Sequence, residues 1–144
     1  MRLIIGLLLV VVQTLALTVI EEYGKCKDDQ GFGNATLVCD LGNRLSERTT
    51  AKLTYLLNDL RDNIPCKCET GCDRVDGRDG YLGLIMVTES KNSKSLAQDA
   101  KQIYEDAGMN LNGCDHGLLL IYLKDSQQVG FSILPLIIPF YPLL

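Results

Sequence analysis

Two kinds of hydrophobic pattern alternate along this chain, and their order predicts its architecture. After the polar turn Asp40-Leu41-Gly42-Asn43, the residues Leu53, Leu56, Leu57, Leu60 and Ile64 recur at helical spacing, with Ser46 placed as N-cap and Pro65 as the stop. A second helical stripe, Leu96, Ala97, Ala100, Ile103, Tyr104 and Ala107, opens on a Ser95/Gln98 capping box and ends at Gly108. Between and after these helices lie continuous apolar runs, Tyr81–Thr88 and Gly117–Leu123, too short for most helices and suited to strands buried on both faces. Thr36–Cys39 is a short β-prone run. Lys124–Gln127 turns the chain into a further strand, Gln128–Ile133. Residues Glu21–Asn34 show no period and read as an irregular arm pinned by Cys26. Strand, helix, strand, helix, strand and hairpin strand together predict an α/β fold: a three-layer sandwich on a mainly parallel sheet, with right-handed crossovers and flanking helices.

The first twenty residues stand outside this pattern. Leu3–Ile20 is almost wholly apolar behind a single charge, Arg2, and small residues offer cleavage after Ala16 or Thr18. This is the layout of a signal peptide over residues 1–18, with an uncleaved signal anchor as the alternative. Either form keeps Arg2 cytoplasmic and delivers the rest outside, so the chain is expected to be secreted or held at the cell surface. In that compartment thiols oxidise. The six cysteines, Cys26, Cys39, Cys66, Cys68, Cys72 and Cys114, therefore read as three disulfides whose connectivity the spacing leaves open. A zinc site built from Cys66, Cys68 and Cys72, with Cys114 or His116, departs from the usual Cys-x-x-Cys knuckles.

Composition adds limits. At 47% hydrophobic and 22% charged, the roughly 125 residues beyond the leader make one domain with room for a core. Acidic residues outnumber basic ones, 18 to 14, and there is no basic run, which excludes an electrostatic footprint for nucleic acid or anionic lipid. Asn34-Ala35-Thr36 is a glycosylation sequon in a predicted loop.

The residues Val38-Cys39-Asp40 with Gly42-Asn43-Arg44-Leu45-Ser46 before an amphipathic helix, and Cys114-Asp115-His116-Gly117-Leu118-Leu119-Leu120 before a central strand, resemble a TPM domain. The cysteine placement is similar to the extracellular branch typified by the nematode modulator of levamisole receptor family, over roughly Cys26–Ser132. The resemblance implies a membrane-associated accessory subunit tuning a levamisole-sensitive acetylcholine receptor, so membrane receptor or ion-channel subunits are the expected partners. More distant relatives imply acid phosphatase activity or calcium binding. Residues 21–133 would form the domain. The tail 134–144, with Pro135, Pro139 and Pro142, departs from the family pattern of a further helix and a membrane span, and reads either as docked on the core or as a truncated end.

Candidate chemistry is sparse. His116 is the sole histidine and reads as polar filler at a strand entrance, so no catalytic residues are assigned. A cofactor is not expected, with calcium as the exception to weigh. Asp40 and Asp115, supplemented by Asn43, Asp28 and Asp29, could supply oxygens, although in a parallel sheet the first two fall at opposite strand ends. The simpler reading has Asp40 capping its turn and Asp115 fixing the loop before Gly117. Aspartates 73, 76 and 79 lack the alternate spacing of an EF-hand and read as a solvated turn. Three functions follow: a receptor-modulating interaction module, a calcium-dependent phosphatase-like hydrolase, or a truncated non-functional paralogue.

Overall fold

The computed structural model describes residues 17–65, 68, 80–89, 95–110, 117–124 and, as backbone, 111, 114–115, 128–133 and 136–138. Residues 1–16 of the leader expected over 1–18, Cys66, Cys72, the aspartate-rich turn at 73–79, His116 and the side chains of Cys114 and Asp115 lie outside this set.

Residues 21–34 are not the irregular arm expected of them. Val19–Gln30 forms a helix, α1, closed at its start by a reciprocal cap. The Thr18 hydroxyl accepts from the Glu21 amide at 3.2 Å, and the Glu21 carboxylate accepts from the Thr18 amide at 2.7 Å. Its buried residues, Val19, Glu22, Tyr23 and Cys26, do follow i, i+3, i+4, i+7. Glu22 and Tyr23 hide that period from a hydrophobicity reading, because one is charged and buried for reasons that only the tertiary structure supplies.

The strand β1 is short, Val38–Cys39. Helix α2, Glu47–Asn63, is capped by Ser46, whose hydroxyl accepts from the Thr49 amide. Strand β2, Leu82–Thr88, is buried throughout. Helix α3, Leu96–Asp106, is capped by Ser95, and Gly108 follows with a positive φ of 69°. A small antiparallel pair, β3 (Asn110–Leu111) and β4 (Cys114–Asp115), precedes β5, Gly117–Leu123. Strands β6, Gln128–Ile133, and β7, Leu136–Ile138, complete the main sheet.

That sheet runs β1-β2-β5-β6-β7. The first two pairings are parallel, with Val38 opposite Ile85 and Ile85 opposite Leu120; the last two are antiparallel. The fold is thus mixed α/β, with a three-stranded parallel half rather than a mainly parallel sheet. Three residues of the tail are part of it: Leu136–Ile138 pairs with β6 at the edge of the described sheet.

Leu84, Met86, Leu119 and Ile121 are fully buried together with Ile103 and Tyr104 of α3, each aliphatic side chain worth about 1.5–3 kcal/mol of transfer free energy. The Tyr104 hydroxyl donates to the Gly117 carbonyl at 3.2 Å, tying α3 to the start of β5. Helix α2 approaches β2 over Gly83. A Cβ there would lie 2.6 Å from Leu57 Cδ2 and 3.0 Å from Leu60 Cδ2, so any larger residue would push these two leucine side chains aside. The apolar stripe of α2 is less buried than its sequence suggests. Leu57 is buried and Leu53 and Leu60 are half-buried, but Leu56 is 51% and Ile64 46% exposed. Among the described residues, no helix is long and apolar enough to cross a membrane.

A disulfide and a hydrogen-bonded ion pair help to hold α1 in place. Cys26 and Cys39, both fully buried, form a disulfide to β1 with a Cα separation of 5.9 Å. On α3, Asp106 accepts from the Tyr23 hydroxyl at 2.6 Å and from Lys27 at 2.7 Å. The Lys27 hydrogen bond, then that of Tyr23, holds the Asp106 carboxyl below the usual carboxylate range, while burial and Asp106 raise the Tyr23 phenol. A carboxyl whose pKa falls on folding stabilises the fold above its unfolded value, near 3.8, and that contribution vanishes as pH drops through the folded value. Asp106→Asn is therefore expected to cost up to about 1 kcal/mol at neutral pH, a discounted figure because the pair is half exposed. Denaturant titrations of both proteins should converge once the pH falls below the lowered, folded value of Asp106; a constant gap across pH would refute the linkage.

Candidate functional site

At the carboxyl end of β1 the chain turns sharply. The Asp40 carbonyl accepts from the Asn43 amide at 3.2 Å, and Asn43 adopts a positive φ of 49°. The Asp40 carboxylate then accepts two further backbone N–H groups, Arg44 at 2.9 Å on one oxygen and Leu45 at 2.7 Å on the other. This is the turn-capping role read from the sequence, extended to the two residues that lead into α2.

The turn delivers Arg44 to the centre of a buried ionic cluster. Its guanidinium folds over Gly42, where a Cβ would stand 2.7 Å from Arg44 Cζ. Nη1 donates to the Val87 carbonyl at 3.0 Å. Nη2 lies 3.7 Å from Glu22 of α1, Nη1 lies 3.9 Å from Asp40, and Nε lies 3.0 Å from Glu89, close enough to pair by charge though not aligned to donate. The side chains of Arg44, Glu22 and Asp40 are 10%, 9% and 8% exposed, and that of Glu89 is 46% exposed. One cation thus holds three carboxylates from α1, the β1–α2 turn and the end of β2. The second oxygen of Glu22 is buried with no hydrogen-bond partner. Glu22, Arg44 and Glu89 were not legible as site residues: they lie far apart in sequence, and only Arg44, four residues after Asp40, carried a local hint.

This edge, beyond the carboxyl ends of parallel strands, is where open α/β sheets present ligand sites. Beside Asp40 lies an open groove of about 770 Å³, lined by Gln30, Thr36, Asn43, Leu45, Glu47 and Thr50 among others. Calcium asks for six or more oxygens, whereas the Asp40 oxygens are committed to backbone donors and face a guanidinium. As placed, that donor set does not fit the ion. Asp28 and Asp29 are exposed on the last turn of α1. The parallel register does not bring Asp115 to Asp40. Asp40 follows Cys39, which is level with Met86 and Ile121, whereas Asp115 precedes Gly117, level with Leu82. Gly117 to Ile121 alone spans about 13 Å of strand. Among the described residues, no group of three His, Cys, Asp or Glu side chains is arranged to hold a metal.

Asn34 is exposed in the turn between α1 and β1, its amide donating to the Gly31 carbonyl at 3.0 Å. Cys68 is disulfide-bonded, and no described cysteine is free.

No protein-family model, curated protein or solved structure matches this chain. What the site can do must therefore be argued from its chemistry. The cluster is a clamp: every charged group in it faces an opposite charge, and an open groove lies beside it.

Proposed function

We propose that the chain is an extracellular, non-enzymatic interaction module acting on a cell-surface receptor, by its resemblance an acetylcholine-gated channel of the levamisole-sensitive kind. The observation that carries this reading is the fully buried Cys26–Cys39 disulfide between α1 and β1, a bond that belongs to an oxidising compartment. In keeping with it, residues 1–18 act as leader or anchor, Asn34 accepts a glycan, and the domain is a three-layer sandwich with α2 on one face and α1 with α3 on the other. The clamp round Arg44 supports a binding rather than a catalytic role, since its carboxylates stabilise the fold.

The test is co-expression. The full chain, made in a eukaryotic cell with acetylcholine-gated channel subunits, is expected at the surface or in the medium as a glycosylated, disulfide-bonded monomer or oligomer, and to change the amplitude of agonist-evoked currents. Unchanged currents with both proteins at the surface would overturn the receptor reading. Phosphate-ester turnover by the purified chain, lost in Asp40→Ala with the fold intact, would replace it with a hydrolase.

A further inference from the structure

The solvent side of α2 is built to meet itself. Tyr55 and Leu56 are 70% and 51% exposed, and they sit at the middle of a 17-residue helix. On the same side, at the three- and four-residue spacing that keeps side chains on one helical face, stand Arg48, Lys52, Asp59 and Asn63, all exposed. The charges are ordered, basic toward the amino end and acidic toward the carboxyl end. Lys52 and Arg48 have no ion-pair partner among the described residues. Asp59 is held in place by the Asn63 amide, which donates to it at 2.6 Å.

We infer that this face docks an antiparallel second copy of the same helix. A two-fold axis passing midway between Tyr55 and Leu56 sets Tyr55 against Leu56 of the second copy, Lys52 against its Asp59, and Arg48 against its Asn63, with each contact repeated by symmetry as an isologous interface requires. A parallel arrangement would set Lys52 against Lys52 and Asp59 against Asp59. The order of charges therefore selects both the partner and its direction. The helix is roughly 25 Å long, and one face of it covers less than the about 800 Å² per partner of a standard interface. The dimer is accordingly weak and concentration-dependent. This inference is independent of the receptor reading, because it draws only on α2.

Sedimentation velocity of the full chain purified from a eukaryotic secretory host, from about 1 to 500 µM, tests it. The wild type is expected to pass from monomer to dimer over this range, and raised salt should shift the balance toward monomer. Lys52→Asp and Asp59→Lys each place like charges across the interface twice, and each should weaken association about tenfold or more. Mixing the two variants in equal amounts restores both ion pairs and should recover wild-type association as a heterodimer. Both positions are exposed, so unchanged thermal melting of each variant separates lost association from lost fold. A wild type that stays monomeric throughout, or a mixture that associates no better than either variant alone, overturns the proposal. Capture of a receptor subunit on this face by a monomeric chain would do the same and assign the surface to that partner.

Discussion

Replacing both Cys26 and Cys39 by alanine is expected to lower the stability of the domain by about 3 kcal/mol. The bond closes a loop of sequence separation 13, and in the chain-entropy account a loop of this size restricts the unfolded state by about that amount. For a domain whose total stability is about 5–15 kcal/mol, this is a large fraction. The loss should fall unevenly. Without the disulfide, α1 is held by Val19 and Tyr23 in the core, by the Glu22–Arg44 pair and by the half-exposed Asp106 contacts, whereas β2, β5 and α3 keep their own packing. Guanidinium unfolding gives the global change, and amide exchange should reveal α1 opening ahead of the sheet. A cost below about 1 kcal/mol, or uniform loss of protection, would contradict the assignment of this bond as the main tether of α1.

Arg44→Met is expected to cost a similar or greater amount, about 3–5 kcal/mol, because it strands buried carboxylates. Glu22 and Asp40 would lose their cation at sites less than a tenth exposed, and Glu22 already has one oxygen without a hydrogen bond. Removing a carboxylate along with the cation should recover part of the loss. Glu22→Gln in the Arg44→Met background is therefore expected to destabilise less than in the wild type, or to stabilise outright. The four proteins form a double-mutant cycle, with chemical denaturation as the readout. Strict additivity would refute direct coupling between Glu22 and Arg44. Lysine is a poor substitute at this position, since a point charge cannot reach the Val87 carbonyl and three carboxylates with the directional donors of a guanidinium.

The elements that were legible in the sequence share one property: their hydrophobic period is set by aliphatic residues and their ends by local capping chemistry. Helix α2 begins after Ser46, α3 begins after Ser95, and β5 and β6 have the bounds expected of them. Helix α1 escaped because Glu22 lies on its buried side, a position that makes sense only once Arg44 is folded over from the β1–α2 turn. Strand β7 escaped for a different reason. Prolines at 135 and 139 bracket its three residues in the sequence, and proline is tolerated at the edge of a sheet, where one side of the strand needs no ladder. The exposure of Leu56 could not be read at all: helical spacing reports which residues share a face, not how wide a face the sheet covers. For the candidate site, the role of Asp40 in its turn was accessible from local sequence, while the cluster it joins was not.

The position of the staple also bears on the order in which the molecule is made. Cys26 and Cys39 are close neighbours along the chain, but the strand that receives β1 begins only at Leu82. On the proposed extracellular reading, in which the chain enters an oxidising lumen from its amino end, the covalent link between α1 and β1 can form while the central strands are still unsynthesised. Helix and strand would then reach the growing sheet already joined, as a single prefabricated edge.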